Sequence, residues 1–224
     1  IRYGVRAHGM GAILNGISAF GANYKPYGGT FLNFVSYAAG AVRLAALSGN
    51  PVIWVATHDS IGLGEDGPTH QPIETLAHLR AIPNMHVWRP ADGNETSAAY
   101  YSAIKSKRTP SIMALSRQTL PQLEHSSFEK ALKGGYVVHD IENPDIILAS
   151  TGSEVSISID AAKQLYETKK IRARVVSMPD FYTFDRQSEE YRFSILPDGV
   201  PIMSFEVLAT ASWGKYAHQS FGLD

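Results

Sequence analysis

Short apolar runs recur along this chain, most of them followed by segments with helical spacing. Pro51-Val-Ile-Trp-Val-Ala56 is the clearest run. Met85-His-Val-Trp88, Pro110 to Ser116, Tyr136 to His139, Asp145 to Ser150, Ile171 to Ser177 and Pro201 to Val207 have the same character. Strands separated by helices are joined by crossovers rather than hairpins, and they form mainly parallel sheets covered on both faces. The order therefore predicts an α/β fold: two domains with mainly parallel sheets flanked by helices.

The helical segments are legible in the same way. Met10, Ile13, Leu14 and Ile17 recur at i, i+3, i+4 and i+7 and predict a helix over 8–20. Glycines at 9, 11 and 16 within it suggest close packing. Tyr24 to Thr30 reads as a short strand and turn, and Phe31 to Leu47 as one buried helix ended by Gly49-Asn50-Pro51. Ile73 to Ala81 is a helix with Leu76 and Leu79 inward. Asp92-x-x-Glu95 and Thr151-x-x-Glu154 both have capping-box form and open helices that reach about Lys105 and Thr168. Between Gln118 and Gly134 periodicity fades, and Pro, Ser, His and Lys accumulate. We read residues 1–117 as one domain, 118–134 as a linker and 135–224 as a second domain.

Composition narrows the function. The 224 residues carry a net charge of −1, which leaves no electrostatic footprint for nucleic acid or an anionic membrane. There are no cysteines, so disulfides and thiolate metal sites are excluded, and a reducing compartment fits. No apolar stretch approaches the roughly 18 residues of a membrane span. The first residues, Ile1-Arg-Tyr-Gly-Val-Arg6, lack a signal-peptide pattern and look like the interior of a domain. We expect a stretch of a longer polypeptide.

The run at 51–56 feeds a loop, Thr57-His-Asp-Ser-Ile-Gly-Leu-Gly-Glu-Asp-Gly-Pro-Thr-His-Gln-Pro72, dense in ionisable groups. Open α/β sheets place ligands at the carboxyl ends of their strands. Three readings fit His58 and His70 with Asp59, Glu65 and Asp66 between them. They could bind a metal, although the spacing matches no common ligand pattern. They could perform acid–base work near neutral pH. One histidine could simply bond loop backbone. Phe31, Phe34 and Tyr37, at i, i+3 and i+6, form either core or an aromatic slot for a flat ring. Arg117 directly follows a buried strand, a position suited to a substrate phosphate or carboxylate and equally to a surface ion pair. Gly62-x-Gly64 and Gly67 lack the spacing of a dinucleotide fingerprint and shape the loop instead.

Taken together, Arg6-Ala-His-Gly-Met-Gly11, Tyr27-Gly-Gly-Thr-Phe-Leu-Asn-Phe34 and the long 57–72 loop resemble transketolase, the fungal enzymes in particular. The similarity continues through Trp88-Arg-Pro-Ala-Asp92, Ala114-Leu-Ser-Arg117, Ala149-Ser-Thr-Gly-Ser-Glu154 and Trp213-Gly-Lys-Tyr-Ala-His-Gln-Ser-Phe221. The resemblance implies a cytoplasmic homodimer with its active site at the subunit interface. That site uses thiamine diphosphate and a magnesium or calcium ion to move a two-carbon ketol unit between sugar phosphates of the pentose phosphate pathway. It implies that 1–117 is the later part of the pyrimidine-binding domain and 135–224 most of the C-terminal domain. Phe31 would stack on the aminopyrimidine ring, with Phe34 and Tyr37 completing the pocket. His58, Asp66, His70 and Arg117 would bind substrate, His70 also assisting proton movement and Arg117 pairing with the phosphate.

Two departures bear on activity. The family motif is Arg-Glu-His-Gly, and position 7 here is Ala. The family glutamate bonds the pyrimidine ring and helps the cofactor deprotonate itself, so Ala7 implies impairment. The Gly-Asp-Gly start of the diphosphate domain is also absent from this stretch, so the metal ligands and the rest of the polypeptide are expected outside it. A non-catalytic cofactor-binding or assembly module, and an enzyme like dihydroxyacetone synthase, are the alternatives.

Overall fold

The computed structural model describes residues 1–21 and 23–224. The first part of the chain forms α1 (Ala7–Phe20), β1 (Tyr27–Phe31), α2 (Leu32–Val35), α3 (Ala39–Ser48), β2 (Ile53–Thr57), α4 (Thr75–Arg80), β3 (His86–Trp88), α5 (Gly93–Lys105) and β4 (Ser111–Leu115). A helical turn, α6 (Phe128–Ala131), leads into β5 (Tyr136–His139), β6 (Ile146–Ser150), α7 (Glu154–Lys169) and β7 (Ala173–Ser177). Then come α8 (Phe181–Phe184), α9 (Glu189–Ile195), β8 (Ile202–Phe205) and β9 (Gln219–Phe221). The first sheet has the order β1-β2-β4-β3 and is parallel throughout. The second has the order β5-β7-β6-β8-β9; β5 pairs antiparallel to β7, and the remaining pairs are parallel. Helices flank both sheets, so the fold is α/β with mainly parallel sheets.

Packing follows the apolar spacing. Met10 and Leu14 of α1 join Leu76 and Leu79 of α4 in a core with Trp54, Ala56, Ile112 and Ala114 of the first sheet. Of the glycines in α1, Gly11 is the one pressed closely: a Cβ there would lie 2.7 Å from Trp54 and 2.9 Å from Ala41, whereas Gly16 faces open space.

Four expectations change. The helix expected over 31–47 is broken into α2, a 3-10 turn at Ser36–Ala38 and α3, and Phe31 ends a strand instead. Phe31 is drawn into the sheet because it pairs in register with Thr57 of β2. Nor is the segment buried all round, since Leu44 and Leu47 of α3 are exposed. Gly49, with φ 67°, closes α3 in the left-handed conformation that favours glycine. Within 118–134, α6 forms, and Leu123 and Ala131 are buried against α5 and the second sheet. The segment thus has core residues, although its apolar spacing is too sparse to show periodicity.

The third change concerns the two capping boxes. Asp92 caps α5 as expected, its Oδ1 accepting from the Glu95 amide at 3.0 Å. Glu95 reaches back one residue further than the motif requires, to the Ala91 amide at 2.6 Å. At Thr151-x-x-Glu154 no box forms. Ser153 occupies the cap position of α7 without a side-chain cap, and Thr151 and Glu154 bond Arg89 instead. A fully buried guanidinium has more need of acceptors than a helix end open to alternatives. Lastly, the edge strand β9 has no counterpart in the sequence reading. It is three residues long and mostly exposed, so it leaves no apolar alternation.

Candidate active site

Parallel register places the carboxyl ends of three neighbouring strands side by side. Phe31 of β1 lies opposite Thr57 of β2, and Thr57 lies opposite Leu115 of β4. Just beyond these ends, His58 emerges beside the Phe31 ring and Arg117 emerges one strand further along, past β4, at the edge where such sheets bind ligands.

The 57–72 loop folds back over this edge. The His58 ring stacks on Phe31 with centroids 3.7 Å apart and planes inclined by 19°. Phe31 and Phe34 lie nearly parallel, 5.9 Å and 7° apart. Phe34 meets Tyr37 edge to face at 6.0 Å and His70 at 5.1 Å. Phe31, Phe34, Tyr37, His58 and His70 thus form one continuous aromatic face. Tyr37 is 74% exposed, so this is not a sealed core cluster.

Local bonds orient both histidines. His58 Nδ1 is 3.0 Å from Thr57 Oγ1, and His70 Nδ1 is 2.8 Å from Thr69 Oγ1. Each ring therefore has its Nε2 unengaged by these bonds. The Asn33 amide donates to the Thr69 carbonyl at 2.6 Å and ties the far end of the loop to α2. His58 has φ 62°, a left-handed conformation uncommon for a residue with a side chain.

The remaining candidates divide. Asp66 and Glu65 are exposed in the loop. Arg117 is exposed, its guanidinium reaching towards Gly64, and no ion pair engages it among the described residues. Ala7 opens α1 and packs partly buried against the first core. Asp59 leaves the group altogether: it is 1% exposed and bonds Arg89 Nε at 2.8 Å. Among the described residues, no three His, Asp or Glu side chains converge as a metal-binding set.

Arg89 was not among the residues singled out as chemically important from the sequence. Its signal is the one that marked Arg117, an arginine directly after an apolar strand.

The comparisons with known proteins agree with this architecture. The model of the transketolase pyrimidine binding domain matches residues 1–122, and that of the transketolase-like C-terminal domain matches residues 134–224. Transketolase 2 of Saccharomyces cerevisiae is 93% identical over the whole chain, and transketolase 1 of the same yeast is 77% identical. A crystal structure of Pichia stipitis transketolase in complex with sedoheptulose 7-phosphate superposes with a TM-score of 0.98 at 71% identity, covering 100% of this chain and 33% of that one. The chain spans about a third of the length of the curated relatives it matches. No helix among the described residues is long and apolar enough to cross a membrane. With both domain types matched in order on parallel sheets of the expected form, the chain belongs to the transketolase family.

Proposed function

We propose that this stretch supplies the ring-binding and substrate-facing part of a transketolase active site. The reaction is transfer of a two-carbon ketol unit from a ketose phosphate to an aldose phosphate, in a cytoplasmic homodimer whose sites lie at the subunit interface. The observation that carries the reading is the alignment of Phe31, His58 and Arg117 at three adjacent strand ends.

The aromatic face fits the pyrimidine end of thiamine diphosphate. Phe31 and Phe34 are near parallel and only partly buried, and the His58 ring covers one face of Phe31. A flat ring would stack on the aromatic faces left open, which contributes about 0.5–1.5 kcal/mol beyond burial. The diphosphate and its magnesium or calcium ion are assigned to the polypeptide outside this stretch. Bound there, the cofactor supplies the nucleophilic carbon and the electron sink for cleaving a bond next to a carbonyl.

This chain's residues hold and sort the substrate. His58, with Nδ1 engaged by Thr57, presents Nε2 to substrate hydroxyls. Asp66 reads the hydroxyl beside the reacting carbonyl and favours one stereochemistry. His70, with Nδ1 engaged by Thr69, moves a proton or binds substrate through Nε2. Arg117 pairs with the substrate phosphate through its planar fork of donors. Ala7 offers no carboxylate to a pyrimidine nitrogen, so turnover is expected to fall by about 10²–10⁴-fold or more relative to glutamate.

The experiment is ketol transfer from xylulose 5-phosphate to ribose 5-phosphate, on the complete subunit with thiamine diphosphate and magnesium, comparing Ala7 with Ala7→Glu. A rise of about 10² or more with glutamate supports the reading. Cofactor binding by both forms without turnover in either would reduce this protein to a non-catalytic binding module. A preference for formaldehyde over ribose 5-phosphate as acceptor would make it a dihydroxyacetone synthase instead.

A further inference from the structure

Arg89 follows β3 directly and is completely buried. Its Nε donates to Asp59 Oδ2 at 2.8 Å. Its Nη1 donates to the Thr151 carbonyl at 3.1 Å, to Thr151 Oγ1 at 3.0 Å and to the Glu154 carboxylate. Glu206 Oε1 lies 3.7 Å away. The backbone takes the same side, since the Arg89 amide donates to the Pro179 carbonyl and its carbonyl accepts from the Gly152 amide. Apart from Asp59, these partners all belong to the second domain.

Asp59 stands next to His58 in the site loop and depends on this arrangement. One of its carboxylate oxygens is bonded by Arg89, and the other has no hydrogen-bond partner. A carboxylate cannot stay buried without a cation or donors to hold it. The left-handed backbone of His58 likewise persists only where its surroundings over-determine it. On one side these are the Phe31 ring and Thr57; on the other, the buried pair Asp59 and Ser60, with Ser60 Oγ accepting from the Gly62 amide.

We propose that Arg89 is a positioning residue: its guanidinium fastens the His58 loop to the second domain, so that this domain holds in place an aromatic–histidine face built entirely from the first. The proposal deepens the transketolase reading and rests on it for the loop's role in substrate binding. The mechanical link itself does not depend on turnover.

Gly152 provides the test. It lies in the second domain with φ 53°, and a Cβ there would sit 2.9 Å from both Arg89 Cζ and Nε. Gly152→Ala therefore presses on the guanidinium without removing a charge or altering the loop. Hydrogen exchange of the complete subunit would be compared for wild type, Gly152→Ala and Arg89→Lys, whose single ammonium cannot fork to both domains. The expected result is exchange at amides 59–63 about tenfold faster in both variants, with the β2 and β4 amides unchanged. Wild-type rates at 59–63, with changes confined to 150–156, would overturn the proposal.

If neither variant folds, exchange of the unmutated subunit in rising urea decides. Opening of 59–63 and 151–155 as one unit supports the link, and independent opening of 59–63 refutes it. In an Ala7→Glu background, Gly152→Ala should raise KM for the ketose phosphate about tenfold and leave kcat nearly unchanged. A fall in kcat alone counts against positioning of the substrate loop. If 59–63 loosens as expected and the Ala7→Glu enzyme shows no turnover, the transketolase reading fails and the link stands.

Discussion

The Glu95 carboxylate of α5 accepts a 2.8 Å hydrogen bond from the Tyr136 hydroxyl of β5, joining the two domains through a fully buried acid. Ser177 of β7 donates to the same oxygen at 2.6 Å, and the Ala91 amide donates to the other. Burial, only partly offset by these donors, pushes the Glu95 carboxyl up to about 7. The folded state thus holds the proton more tightly than the unfolded chain, where a glutamate titrates near 4.3. Its contribution is fully present below that value and is lost as pH rises to about 7, at up to about 1.4 kcal/mol per unit. Urea denaturation at pH 5, 6 and 7 should show wild type losing stability relative to Glu95→Gln over this interval. Parallel curves for the two proteins would contradict the assignment.

Glu206 titrates in the opposite sense. Burial alone would raise it, but Arg80 and Arg89, with the Arg80 and Thr151 hydrogen bonds, outweigh burial and hold it near 2. Arg80 grips both carboxylate oxygens at 2.7 Å, and Trp213 Nε1 donates to one of them at 2.9 Å. The resulting stability is present above the usual glutamate range and fades as pH falls towards 2. Arg80→Ala leaves a buried carboxylate short of its main cation and should cost about 3–5 kcal/mol. Chemical denaturation followed by tryptophan fluorescence would measure it, and a loss under about 1 kcal/mol would show that the pair is solvated in solution.

The Asp92 cap offers a smaller, local test. Besides capping α5, its Oδ2 accepts from the Gln122 amide at 2.6 Å and from the Leu123 backbone at 3.2 Å. Asp92→Ala should lower stability by about 1–2 kcal/mol, at the upper end for a cap, because the 118–127 segment loses an anchor as well. Asp92→Asn retains acceptors and should lose less. Equal midpoints for Asp92→Ala and wild type in urea would rule out the cap as a stabilising contact.

On the proposed reading Arg117 serves substrate affinity, and no ion pair holds it among the described residues. In the Ala7→Glu background, Arg117→Ala should raise KM for phosphorylated ketoses by about 10–100-fold, the range of a lost charge-assisted contact of about 1.5–3 kcal/mol. KM for the corresponding unphosphorylated ketose should hardly change, and thermal stability should be unaltered. An equal rise for both donors would remove Arg117 from the phosphate site.

The sequence by itself determined every strand but β9, most of the helices and the mainly parallel character of the sheets. Runs such as Ile53–Thr57 and Ile146–Ser150 carry their burial in their own composition, and Asp92 carries a cap in its spacing. The placement of candidate residues was legible where it depends on position after a strand, as with His58 and Arg117. Three matters were settled only by tertiary structure. Phe31 left its helical spacing because pairing with β2 claimed its backbone. Thr151 and Glu154 gave up a capping box because a guanidinium from the other domain was buried beside them. Arg89 and Arg117 look alike in sequence, each an arginine just past an apolar strand. One became the buried hub of an interdomain cluster and the other an exposed group beside the site loop. What separates them is whether a second domain lies over the strand end, and that depends on residues more than 30 positions away in the chain. A local pattern records the burial a segment needs, while the distant partner that meets the need is chosen when the two domains pack.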